Sequence, residues 1–280
     1  MNRILRGAKS RVEIQLYDPS GNPSGAGGPV TADVMDSAGQ AVLSGQATTQ
    51  TGGSTGPYGF DVTPTILDVY TVTWNLPSGQ SRTSEYEVVG THLFTIADLR
   101  AFDSQLANLE AATAREVREA VEERFERAAK VSFTLRGRRA YLDGRGTPEL
   151  ILPDFEVRKI VAIKVNGTAL SASKLAEMKL DPCGYLVWGG GTFPEGFRNV
   201  EVLYEHGFET VPRPVHRAAL RYAKHLLIAT QIEHNERATG VATDVGFFRL
   251  TLAGRDGPTG LPEVDAVLDQ FGRRHVGGFG

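Results

Sequence analysis

The chain has 280 residues, 41% of them hydrophobic and 22% charged, a composition that excludes wholesale disorder and leaves room for two cores. A net charge of −3 excludes a protein built mainly to neutralise nucleic-acid phosphates, which needs a large basic excess. The single cysteine, Cys183, excludes an intrachain disulfide and a multi-cysteine zinc site. The start, Met1 to Arg11, is basic and polar without the apolar core of a signal peptide, and no run of about 18 apolar residues follows. Neither export by that route nor a membrane span is expected.

From Arg11 to Gly90 short alternating runs are separated by Gly, Pro, Ser and Asn: Val12–Tyr17, Val30–Val34, Ala41–Leu43, Tyr58–Val62, Val69–Trp74 and Ser84–Val89. Period-two alternation buries one face of a sheet and wets the other, so residues 1–90 are expected to form a small antiparallel β-sandwich. The Tyr70, Val72, Trp74 run is similar to a late strand of immunoglobulin-like domains, without their disulfide. Thr48 to Gly56 reads as a polar loop.

After Gly90 the period changes. Leu99, Phe102, Leu106, Leu109, Thr113, Val117, Val121 and Phe125 recur at spacings of three and four, which predicts one helix over about 96–130, opened by a Thr95–Asp98 capping box. Strand patterns return over about 131–211: Val131–Leu135, Tyr141–Leu142, Glu149–Leu152, Ile160–Val165 and Val200–Tyr204, with Asn166-Gly167 as a tight-turn signal. Arg136, Arg138 and Arg139 are expected in a strand-to-strand turn around Gly137. Pro212 then opens a helix to about residue 235, a Gly-rich stretch over 239–260 holds a possible extended piece from Val245 to Leu252, and a short helix spans 262–271.

Chemistry-bearing motifs are scarce. The spacing of nine between His216, His225 and His234 turns successive rings to opposite sides of a helix, and no His-Glu-x-x-His pattern occurs. There is no Gly-x-Ser-x-Gly elbow, phosphate loop or Rossmann glycine fingerprint, and nothing near Cys183 in sequence activates its thiol. No catalytic residue, metal ligand or cofactor is assigned, and the chain is not expected to be an enzyme.

The second half resembles the head-tail connector (adaptor or head-completion) proteins of long-tailed bacteriophages. The residues that carry this are Phe94-Thr-Ile-Ala-Asp-Leu99, Val202-Leu-Tyr-Glu-His-Gly207, Val211-Pro212 leading into Val215 to Leu227, and Val264-Asp-Ala-Val-Leu268 before a polar tail. The resemblance covers about Thr91 to Gly280 and implies a helical connector domain at 91–280, with a β insertion between its two long helices; the sandwich at 1–90 departs from the shortest family members, and together they make an α+β multidomain chain. It implies a virion protein at the neck, assembled in the host cytoplasm as a homo-oligomeric ring, commonly a dodecamer. That ring would dock on the portal protein, receive the next neck or tail-completion protein, and let double-stranded DNA pass.

On that reading, portal contact falls to Phe271, Arg273, Arg274, His275 and Phe279, and subunit contact to Phe247, Phe248, Leu250 and Leu252. Arg136, Arg138 and Arg139 are candidates for the DNA channel or a partner, or else for ordinary salt bridges. An alternative is a carbohydrate- or protein-binding module with a helical anchor, which exposed aromatics around Tyr58, Phe60 and Trp74 would favour. An enzyme without recognisable motifs would need a pocket of converging titratable groups.

Overall fold

A computed structural model describes residues 2–229, 240–243, 246–249 and 257–272, with the side chains of 2–228 and 257–272. In chain order the strands β1 (Asn2–Leu5), β2 (Ser10–Ile14), β3 (Thr31–Met35), β4 (Ala41–Ala47), β5 (Thr49–Gln50), β6 (Tyr58–Val62), β7 (Val69–Asn75) and β8 (Ser81–Val89) come first. Helices α1 (Ile96–Phe102) and α2 (Ala111–Ala129) follow. Then come β9 (Arg136–Gly144), β10 (Glu149–Ile151), β11 (Val157–Val165), β12 (Thr168–Ala169), α3 (Ala172–Ala176), β13 (Met178–Leu180), β14 (Tyr185–Trp188) and β15 (Gly196–His206). The chain continues through α4 (Arg213–Ala229), β16 (Gly240–Thr243), β17 (Gly246–Arg249) and α5 (Pro262–Phe271). The fold is mixed α+β.

These elements form two compact units, residues 1–91 with 135–206, and residues 92–134 with 207–280. This division differs from the boundary expected at residue 90, because the inserted strands group with the N-terminal ones. Within the β unit, the main sheet runs β12-β11-β15-β9-β8-β7-β3-β4, with β1 added parallel to β8. The sheet β2-β6-β5 closes over one half of it. Alternation along β7 sends Tyr70, Val72 and Trp74 into the core between the sheets, where Trp74 meets Phe60 at 5.7 Å between ring centres. The indole N–H, which burial would otherwise leave unsatisfied, donates to Ser84 Oγ at 2.8 Å.

The other half of the main sheet carries its own core of Leu150, Ile163, Leu186, Phe193, Val202 and Tyr204, roofed by the small sheet β10-β14-β13. Strands β8 and β9 join the halves through one residue pair, Val89 with Arg136, and Gly90 N–H donates to Leu135 O at 2.7 Å. Beside this seam β9 passes the chain at Leu67 so closely that a Cβ on Gly137 would lie 1.8 Å from the Leu67 carbonyl oxygen. Only glycine fits there. At the far end, Asn166 and Gly167 both take positive φ, at 49° and 78°, as the expected tight turn requires.

Four differences from the sequence reading have physical causes. The helix expected over 96–130 is broken, because Asp103 is extended (φ −149°, ψ 136°) and its carboxylate accepts from Gln105 N–H, capping a 3-10 turn at Ser104–Leu106. Residues 131–135 are not a strand: Lys130 ends α2 in the left-handed region at φ 55°, and the stretch after it buries Phe133 and Leu135 as irregular chain. Arg136, Gly137, Arg138 and Arg139 lie inside β9 and not in a turn. The basic start contributes β1, whose Ile4 is buried.

The helical unit assembles one core from both flanks of the β region. Leu99 of α1, Val121 and Phe125 of α2, Val215, Ala219 and Ala223 of α4, and Val264 and Leu268 of α5 are buried together. The alanines of α4 let neighbouring helices approach closely, and Phe125 stacks on Tyr222 at 5.9 Å. The Thr95–Asp98 capping box forms as expected, with Thr95 Oγ1 accepting from Asp98 N–H at 3.0 Å and Asp98 Oδ2 accepting from Thr95 N–H at 2.8 Å. Helix α5 matches its expected range, while the predicted end of the preceding helix at 230–235 lies outside the described residues. Strands β16 and β17 pair as an antiparallel hairpin, Val241 opposite Phe248.

Candidate partner-binding surfaces

The three arginines of β9 are all engaged with carboxylates. Arg136 Nη2 lies 3.2 Å from Glu87 Oε2, and Arg138 Nη1 lies 2.7 Å from Asp154 Oδ1. Arg139 is nearly buried among Asp68 at 3.3 Å, Asp36 at 3.5 Å and Glu201, to which it hydrogen-bonds. These contacts follow the salt-bridge reading for Arg136 and Arg139, whose side chains have little exposure left for phosphate. Arg138 remains half exposed.

The other predicted contact residues divide by position. Phe271 is partly buried, its ring set edge-on to Phe133 at 6.5 Å within the helical core. Arg273, Arg274, His275 and Phe279 lie outside the described residues, as do Leu250 and Leu252. Phe247 and Phe248 are placed in β17 by their backbone. Tyr58, Phe60 and Trp74, whose exposure would favour a binding module, are buried in the sandwich core, because they occupy inward positions of β6 and β7. No surface can be built from them.

Titratable groups are held in structural roles. Asp154 accepts from Tyr204 Oη at 2.5 Å and lies 3.8 Å from His206 Nε2, while burial holds the His206 pKa below its ordinary value despite that carboxylate. Asp181 beside exposed Cys183 raises its thiol pKa, the opposite of activation. Among the described residues no group of three or more His, Cys, Asp or Glu side chains could hold a metal ion.

A surface the sequence did not single out lies on the inserted half of the β unit. Strand β15 opposes β9 with Gly196 on Gly144 and Val200 on Leu142, so three residues, 197 to 199, face only one. Such a bulge re-aims side chains. Asn199 locks it, accepting from Gly144 N–H at 2.8 Å and donating to Pro194 O at 2.9 Å. Arg198 is thereby held at φ 47°, its N–H donating to Asp143 Oδ1 at 2.6 Å. Its guanidinium lies over the Tyr141 ring, 5.2 Å from the centroid.

Phe197, extruded by the same bulge, is 84% exposed. With Ile151 at 71%, Tyr141 at 42% and Tyr185 at 40%, it lines a cleft of about 550 Å³ between β9, β15 and the edge of β10. Large apolar side chains concentrated on one exposed patch mark an interaction surface. The available sequence cue was Phe197 and Arg198 set between the Gly- and Pro-containing stretch Gly189–Gly196 and Asn199, where turn residues alone would suffice.

Neither a protein-family model nor a curated protein matches the chain. Among solved structures, the crystal structure of the Lin-41 filamin domain is similar at 20% identity over 32% of this chain and 85% of that one, with a TM-score of 0.24. At that score the likeness assigns neither a fold nor a function.

Proposed function

We propose that the chain is a subunit of the adaptor ring between portal and tail of a tailed bacteriophage, with an immunoglobulin-like N-terminal sandwich and a helical connector domain. One observation carries the reading: α1 and α2 before the β region and α4 and α5 after it share a single core, as expected for a helical connector body with strands inserted into its chain. Of the motif segments behind the resemblance, Phe94 to Leu99, Val215 to Leu227 and Val264 to Leu268 contribute to that core, while Val202 to His206 lies in β15 and packs in the core of the β unit.

The role is mechanical and not catalytic. Heterologous contacts between identical subunits close into a ring when their rotation permits, and a channel without a large basic excess does not grip the duplex passing through it. Subunit contact is assigned to Phe247, Phe248, Leu250 and Leu252, and portal contact to Phe271, Arg273, Arg274, His275 and Phe279. Of the three β9 arginines, Arg138 is left for a partner or DNA. The carbohydrate- or protein-binding alternative does not gain the exposed aromatics that would favour it, since Tyr58, Phe60 and Trp74 are buried.

Electron microscopy of the purified full chain, alone and mixed with portal rings, tests the reading. Ring-shaped particles with a central channel, stacked on the portal in the mixture, are the expected result. Monodisperse single subunits in both samples would overturn it.

A further inference from the structure

We infer that the β unit is hinged between β8 and β9, and that Arg139 and Arg6 form an ionic latch holding its two halves together. The halves are residues 1–91 and 135–206, and each has its own apolar core. Phe60, Val72 and Trp74 fill one, and Ile163, Leu186 and Tyr204 the other. Among the described residues no buried side chain belongs to both.

The pivot follows from the strand pairing. Strand β7 takes one edge of β8 at Tyr86 and Glu87, and β1 runs along Tyr86 to Val89, so the second edge is occupied up to the point that β9 reaches. A longer ladder between β8 and β9 has no room to form. The backbones meet through the pair Val89 with Arg136, the Gly90 N–H donating to Leu135 O at 2.7 Å, and the close pass of Gly137 beside Leu67. All three contacts fall on residues 135–137, and from Arg138 to Gly144 strand β9 pairs with β15 alone. Hinges absorb their change in a few residues at the end of an element, and this short segment has that layout.

Away from the pivot the halves are held by charge. Arg139 of the inserted half reaches Asp68 at 3.3 Å, Asp36 at 3.5 Å and Ser37 Oγ at 2.9 Å, all in the N-terminal half. From the other side, Arg6 Nη1 lies 2.9 Å from Glu205 Oε1 of β15. Opening the junction therefore exposes guanidinium and carboxylate groups, which water solvates, and leaves both apolar cores covered. The desolvation cost of a buried ion pair is recovered when the pair opens, so such contacts bind two bodies less tightly than an apolar seam of the same extent. Segments that open without global unfolding have few apolar contacts across the parting surface. Without the Arg139 cation, Asp36 and Asp68 on one half repel Glu201 on the other.

The hinge concerns the β unit alone and stands apart from the ring reading. The test is double electron–electron resonance on the full chain, with Cys183→Ser removing the native thiol and spin labels on Ser44→Cys and Lys179→Cys. Both positions are exposed, one in the end strand β4 and the other in β13 of the roofing sheet. The parent chain is expected to give one narrow distance distribution. Arg139→Ala and Arg6→Ala are each expected to widen it and shift it to longer distance. Arg138→Ala is expected to leave it unchanged, because its partner Asp154 belongs to the same half. Near-UV circular dichroism, to which Trp74 and Trp188 contribute from one half each, is expected to stay at the parent value in all three variants.

Arg6 is 34% exposed, so Arg6→Ala disturbs packing least and decides the matter if Arg139→Ala does not fold. A parent-like distance in folded Arg6→Ala and Arg139→Ala would overturn the hinge. So would widening in Arg138→Ala equal to theirs, since the seam would then owe nothing to the contacts that cross it. Widening in Arg6→Ala that comes only with loss of the near-UV signal would show a half unfolding and not swinging, and the proposal would fall with it.

Discussion

The guanidinium of Arg139 on β9 lies 3.3 Å from the carboxylate of Asp68, just ahead of β7, and both side chains are nearly buried. This contact ties the inserted strands to the N-terminal ones beside a seam that only one residue pair of the sheet crosses. Removing the cation leaves Asp68, Asp36 and Glu201 facing one another without it. Arg139→Ala is therefore expected to destabilise the β unit by about 3 kcal/mol, the scale for breaking a buried pair from one side. Urea unfolding followed by Trp fluorescence measures it, since Trp74 and Trp188 both lie in this unit. A change within experimental error would show that the network is solvent-screened.

Gly137 gives a second test of the same seam. A methyl group there would collide with the Leu67 carbonyl, which is backbone and cannot rotate away. Gly137→Ala is expected to lower stability by about 3 kcal/mol. The same change at Gly146, which has open space around it, meets only the conformational cost of φ 72° and is expected to cost about 1 kcal/mol. Comparison of the two melting curves separates collision from backbone preference.

Stability should depend on pH through His206. Burial disfavours its charged form more than Asp154 favours it, and Arg138 pushes the same way as burial, so the folded pKa lies below 6.5. In the unfolded chain the ring takes up a proton near about pH 6.5, so between the two values the unfolded state binds more protons. The contribution is whole above that pH and is lost as pH falls through the folded value. His206→Gln should flatten the melting temperature between about pH 7 and pH 5. The carboxylates held low by hydrogen bonds or a lysine, such as Asp33, Asp98 and Asp103, act in a separate and more acid window.

Val264 and Leu268 of α5 are buried in the helical core, and Asp265 accepts from Thr259 N–H at 2.9 Å. Removing residues 261–280 is expected to unfold the helical unit, and Leu268→Ala alone to cost about 3 kcal/mol. On the connector reading, removing only 273–280 stops the chain from co-sedimenting with portal rings.

The sequence carried the periodicities well and their interruptions poorly. Tyr58–Val62, Val69–Trp74 and Pro262–Phe271 are legible because alternation or a three-four spacing runs through them without a competing signal. The break at Asp103 was hidden because the apolar stripe from Leu99 to Leu109 keeps its phase across the 3-10 turn, while the cue was a single Asp-Ser pair. Strands β13 and β14 were missed because Met178–Leu180 and Tyr185–Trp188 are too short to show a period. The arginines of β9 were visible as a basic cluster, but their partners Asp36, Asp68, Glu87, Asp154 and Glu201 come from other parts of the chain, and no local pattern announces them. The cleft was illegible for a related reason: its exposure arises from a bulge, a property of register between two strands.

The helical body is written in two stretches with an entire β region between them, and this governs the order in which it can be completed during synthesis. When α1 and α2 leave the ribosome, the surfaces that will cover Val121 and Phe125 have not yet been made, whereas the inserted strands have all their partners by His206, before α4 begins. The nascent chain thus carries an uncovered greasy helix until its last fifth is translated. A protein of this design gains a built-in delay, so that any surface created by the finished helical body becomes available only to full-length copies.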